Sequence, residues 1–88
     1  MRRRSYAVWW KQGDEPRHAG KFELDPLHVL LSGKNDGTLS VPLGDIVSID
    51  YHRGEVTLGF REDPAIHIGS LDAPGALLEL TDALRRAD

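Results

Sequence analysis

Apolar and polar positions alternate with a period of two along most of the chain. Tyr6, Val8 and Trp10 alternate with Ala7 and Trp9, Leu27, Val29 and Leu31 with His28 and Leu30, and Val56, Leu58 and Phe60 with Thr57 and Gly59. This is the period of a half-buried β-strand, in which successive side chains leave on opposite faces. Turn-forming runs break the alternation: "KQGDEP", Asp25-Pro26, "SGKNDG", "VPLGDI", "HRGE" and "REDP". Between them lie further short apolar runs at Phe22-Leu24 and Leu39-Val41, an alternating run at Val47-Ile49-Tyr51, and a last strand at Ile66-Ile68 around His67. Seven short strands over roughly residues 5–69, spaced about ten residues apart, predict a mainly antiparallel β sandwich or small barrel.

The period changes after Gly69. Leu77, Leu80 and Leu84 recur at helical spacing with Ala76, Ala83 and Ala87 beside them, and predict one amphipathic helix over roughly residues 73–87. Asp72 is placed to cap it, Pro74 suits its first turn, and Arg85 and Arg86 suit the negative end of its dipole. The leucine stripe needs an apolar partner, and the open end of the barrel supplies one.

Adjacent tryptophans in a strand cannot both face one core. Tyr6 and Val8 outweigh Ala7, so the pattern sends Trp10 inward and Trp9 outward. The outward indole has two readings: a residue lying on its own surface beneath Lys11 or the arginine-rich start, or part of an interface with a partner or a second copy. With Trp9, Leu30 and Leu78 are the other apolar side chains expected to be uncovered, and the three form the candidate interaction surface.

Composition narrows the function classes. The chain has 88 residues, enough for a single domain with a modest core, and buries roughly 60% of its unfolded surface on folding. Fourteen acidic against 11 basic residues give a net charge of −3, which argues against nucleic acid as a partner. No cysteine is present, so thiolate chemistry is absent. No apolar run reaches the length of a membrane span, and no apolar segment follows Arg2, Arg3 and Arg4 as a secretion signal requires. The expected location is the cytoplasm.

The order of seven strands and one C-terminal helix resembles the pleckstrin-homology superfold. The runs "AGKFELDPLHVLLSG", "LSVPLGDIVSIDYHRGEVTLGF" and "IHIGSLDAPGALLELTDAL" are similar to GRAM and bacterial PH-like domains over nearly the whole chain. The resemblance implies a split barrel of two nearly orthogonal sheets, plugged at one end by the helix. It also implies a binding or scaffolding module without chemistry of its own. Phosphoinositide-binding members carry a basic motif on the first hairpin. The matching positions here are Lys11, Arg17, Ala19 and Lys21, where Ala19 breaks the alternation and Asp14 and Glu15 put negative charge in the loop. Specific phosphoinositide recognition is therefore not expected. Arg2, Arg3, Arg4, Arg17 and Lys21 remain the candidates for a general anion or lipid-headgroup site.

No other chemistry is nominated. His18, His28, His52 and His67 lack metal-ligand spacing. The serines lack a nucleophile elbow, and the paired acids of "GDEP" and "REDP" lie in turns, where carboxylates are solvated and lack the shelter that general acid–base work needs. The sequence thus names no catalytic, cofactor-binding or metal residue. It points to a non-catalytic protein-interaction module whose partner is another protein or its own copy. An anion-binding module is the first rival and a small enzyme the second.

Overall fold

The computed structural model describes residues 4–33, 37–71 and 75–87. Its elements run β1 (Arg4–Gln12), β2 (His18–Leu24), β3 (His28–Gly33), β4 (Thr38–Pro42), a short 3-10 turn (Leu43–Asp45), β5 (Ser48–His52), β6 (Glu55–Gly59), β7 (Ile66–Ser70) and α1 (Gly75–Ala87). The strands form one antiparallel sheet in the order β4-β3-β2-β1-β7-β6-β5. The expected two sheets are thus one hydrogen-bonded ladder. The reason is the length of β1. Its residues from Arg4 to Trp10 pair with β2, and those from Val8 to Gln12 pair with β7. The sheet does not close, because β4 and β5 are its two ends.

The inward face is the predicted one. Val8, Phe22, Val29, Leu31, Val56, Leu58, Ile66 and Ile68 are buried against Leu77, Leu80 and Leu84 of α1. Trp10 faces the same core at 5% exposure. The helix packs on β5, β6 and β7. The buried Thr81 hydroxyl donates to the Leu77 carbonyl at 2.7 Å, so this polar group enters the core satisfied. Asp72 and Pro74, predicted to cap and open the helix, lie outside the described residues, as do Lys34, Asn35 and Asp36 of the "SGKNDG" turn.

Two apolar residues depart from the alternation. Leu27, expected to share a face with Val29 and Leu31, is 70% exposed. The Asp25 carboxylate accepts the Leu27 and His28 backbone N–H groups at 2.8 and 2.7 Å. This Asx turn ends the extended backbone before Leu27 can enter the pleat. Val47, expected inside with Ile49 and Tyr51, is exposed because its N–H and the β5 ladder both converge on Gly59. The extra residue turns Val47 away from the core.

One contact sets the corner of the barrel. On the inner face, a Cβ built on Gly20 would lie 1.7 Å from the Ser32 carbonyl oxygen. The Trp10 indole N–H donates to that same oxygen at 3.1 Å. Strand β3 can therefore coil closely against its partner β2 only where β2 has no side chain, a use of glycine typical of barrel corners. Gly20→Ala is expected to destabilise the protein by about 1–3 kcal/mol, since backbone rather than a flexible side chain must move. Trp10→Phe is expected to cost about 1–2 kcal/mol by leaving the Ser32 carbonyl short of its donor. Urea unfolding followed by far-ultraviolet circular dichroism checks both.

Candidate functional site

The outer face of β1 carries Trp9. The indole lies flat on Gly69 of β7, its register partner, where a Cβ would meet the ring nitrogen at 2.0 Å. The Arg17 guanidinium sits over the indole, 4.0 Å from a ring centroid. Trp9 is half-buried, with Gly69 against its ring and Arg17 over it. Leu30 is also half-buried on the outer face, between Glu23 and Ser40. The register places it in line with Ser5, four positions along β1 from Trp9. Leu78 lies elsewhere, on the solvent side of α1, at 57% exposure. The fold does not bring Trp9, Leu30 and Leu78 into one surface.

Arg2 and Arg3 lie outside the described residues, and of Arg4 only the backbone is described, paired with Leu24. Arg17 is engaged on Trp9, and Lys21 approaches Glu23 at 3.9 Å on the outer face. At the mouth formed by the β1–β2 and β6–β7 loops, a cleft of about 580 Å3 is lined by Gln12, Gly13, Asp14, Glu15, Asp63 and Pro64. Its charged lining is carboxylate, which repels phosphate. Sequence reasoning identified Asp14 and Glu15 but missed Asp63, which only the fold brings beside them.

Three of the four histidines have local partners. His18 lies against Trp10 with ring centroids 4.6 Å apart. His28 stands 3.8 Å from the Asp25 carboxylate that shapes its turn. His67 on the outer face of β7 contacts the Glu55 carboxylate at 3.0 Å and the Thr57 hydroxyl at 3.3 Å. Among the described residues, no group of three or more His, Asp or Glu is placed to hold a metal ion. Nor is any helix of these residues long and apolar enough to cross a membrane.

A groove that the sequence did not announce runs between α1 and β5. It encloses about 620 Å3 and is lined by Tyr51, Leu78, Glu79, Thr81, Asp82 and Arg85. Leu78, Asp82 and Arg85 share a helix face by their spacing, and Tyr51 projects from the strand opposite. The groove is tied at its ends. The Tyr6 hydroxyl donates to the Glu79 carboxylate at 3.2 Å, and the Arg85 guanidinium donates to the Ile49 carbonyl at 3.3 Å. Asp82 pairs with Arg86 at 2.9 Å along the helix. The arrangement combines exposed apolar surface, both signs of charge and a sheet edge, which suits non-covalent recognition. The signals available in sequence were Leu78 on the polar side of the leucine stripe and the shortness of β5.

No protein-family model matches the chain, and no curated protein is similar to it. Solved structures are similar in fold. The N-terminal PH domain of human ARAP2 superposes with a TM-score of 0.74 at 11% identity, covering 97% of this chain and 77% of that one. The C-terminal domain of an unknown protein from Leishmania infantum gives 0.73 at 13% identity, covering 92% and 81%. At these identities the likeness speaks for architecture alone, and the architecture is that of a PH-like split barrel, seven antiparallel strands closed off by one C-terminal helix.

Proposed function

We propose that this chain is a non-catalytic protein-interaction module that docks a protein partner in the groove between α1 and β5. The observation that carries the reading is Leu78, an exposed leucine facing a tyrosine across an open groove beside a sheet edge. Large apolar side chains in such a groove are the anchors that interfaces use, with polar groups at the rim giving orientation. The PH-like fold supports a binding role but names no ligand. The rival reading, an anion or lipid-headgroup site built on Arg17 and Lys21, has against it the acidic mouth at Asp14, Glu15 and Asp63 and the engagement of Arg17 on Trp9.

The test pairs capture from a cell extract with calorimetric titration of each captured protein after purification. Leu78→Asp is expected to weaken a true partner by roughly tenfold or more, the scale of an interface hot spot, while Trp9→Ala leaves the affinity within about twofold. The opposite ranking would move the interface to the outer face of β1. Vesicles containing phosphoinositides, at about 0.15 M salt, are expected to leave the protein in the supernatant. Salt-sensitive sedimentation lost on Arg17→Ala or Lys21→Ala would instead establish the anion reading.

A further inference from the structure

Strand β4 is one end of the sheet, and its free side borders a small cavity. The ladder bonds define which backbone groups face that side. The Asp25 N–H donates to the His28 carbonyl and the Gly33 N–H to the Gly37 carbonyl, each in register with its ladder. Bonded pairs alternate along an antiparallel ladder, so His28, Leu30 and Ser32 bond to β2, and Val29, Leu31 and Gly33 bond to β4. Leu39 and Val41 therefore bond to β3, and Ser40 directs its N–H and C=O outward. Among the described residues neither Ser40 group has a partner. The other end of the sheet differs. There the Arg53–Gly54 turn closes on the His52–Glu55 pair and leaves the Ile49 and Tyr51 groups outward, and the Arg85 guanidinium meets the Ile49 carbonyl.

The cavity encloses about 110 Å3 between β4, the 3-10 turn and the β6–β7 loop. Leu39 and Phe60 give it apolar walls, and Gln12, Ser40, Asp45 and Asp63 line it with polar groups. Among the described residues the side chains of Gln12, Asp45 and Asp63 make no hydrogen bond or ion pair. Sites for drug-sized ligands begin at roughly 300 Å3, so this one admits a single side chain. Its free groups are mostly acceptors and carry negative charge, which calls for a cation rich in N–H. No three His, Asp or Glu among the described residues converge to hold a metal ion, so the cation is organic. A guanidinium on an apolar stem answers all of these conditions. It offers a planar fork of N–H groups, is weakly hydrated and stacks on aromatic rings such as Phe60.

The adjoining cleft of about 580 Å3 shares Gln12 and Asp63 with the cavity. It is larger than a guanidinium needs and leaves room for the backbone that carries one. Its Asp14 and Glu15 repel the α-carboxylate of a free amino acid but not an uncharged peptide link. We propose that the cavity receives one arginine side chain of a partner peptide. The stem runs between Leu39 and Phe60, the guanidinium donates to Asp45, Asp63 and the Ser40 carbonyl, and the peptide backbone occupies the outer cleft. The site shares no residue with the α1 groove and stands or falls independently of it.

The probe is acetyl-Gly-Arg-Gly-amide, titrated to about 10 mM into isotope-labelled protein and followed by nuclear magnetic resonance. Its control is the citrulline peptide, which keeps the shape and loses the charge. The arginine peptide is expected to shift the Ser40 backbone and Gln12 side-chain resonances and to bind about tenfold tighter than the control. Asp45→Asn and Asp63→Asn are each expected to weaken it about fivefold, the scale of one partly exposed charge pair. Asp50→Asn, the same change of charge on β5, is expected to leave the affinity within about twofold. Equal binding of the two peptides, equal losses on Asp50→Asn and Asp63→Asn, or a titration that leaves Ser40 and Gln12 unshifted overturns the site. Free arginine binding as tightly as the capped peptide overturns a peptide as its occupant.

Discussion

The fold depends on the close approach of β3 to Gly20 within their shared ladder. The Ser32 carbonyl oxygen lies where any Cβ at that position would be, and the Trp10 indole N–H satisfies it from the next strand. A half-buried carbonyl left without a donor costs free energy, and a side chain at residue 20 would force the strands apart. With both requirements met, β3 bends inward and the sheet wraps around Phe22, Leu31 and Ile68. Trp10 can take part because β1 is a shared strand. Its central residues pair with β2 on one side and β7 on the other, so the halves of the barrel are one sheet.

The same wrapping fixes what is left over. A sheet that bends without closing has two ends, and here they are β4 and β5. The helix fills the open end through Leu77, Leu80 and Leu84, which leaves Leu78 on its outer side beside β5. The groove at α1 is thus a consequence of core formation. Glu79, Asp82 and Arg85 give its helix wall both signs of charge. On the outer face of β1, Gly69 lies against the Trp9 ring and Arg17 over it.

Much of this architecture was legible in the sequence because burial has a period. Alternation placed Val8, Trp10, Phe22, Val29, Leu31, Val56, Leu58, Ile66 and Ile68 inward, and helical spacing placed Leu77, Leu80 and Leu84. Periodicity failed where a local hydrogen bond overrode it, at Leu27 beside the Asp25 carboxylate and at Val47 beside Gly59. The continuity of the sheet was hidden because β1 shows the same alternation whether one strand pairs with it or two. Site residues were harder to read, since a surface is assembled from positions distant in sequence. Leu78 was visible as a leucine off the stripe, whereas its pairing with Tyr51 depends on where α1 lands. Trp9 looked free because the glycine under it is sixty residues away.

Native-state hydrogen exchange of the unliganded protein, resolved amide by amide, tests most directly the claim that a rigid doubly paired β1 leaves an open edge at β5. The account predicts that the amides of Val8, Trp9 and Trp10 are among the slowest to exchange. Those of Ile49 and Tyr51 should exchange orders of magnitude faster, opening locally at little free-energy cost. Protection at Ile49 and Tyr51 equal to that at Trp9 would mean that the edge is already covered, and would contradict the account.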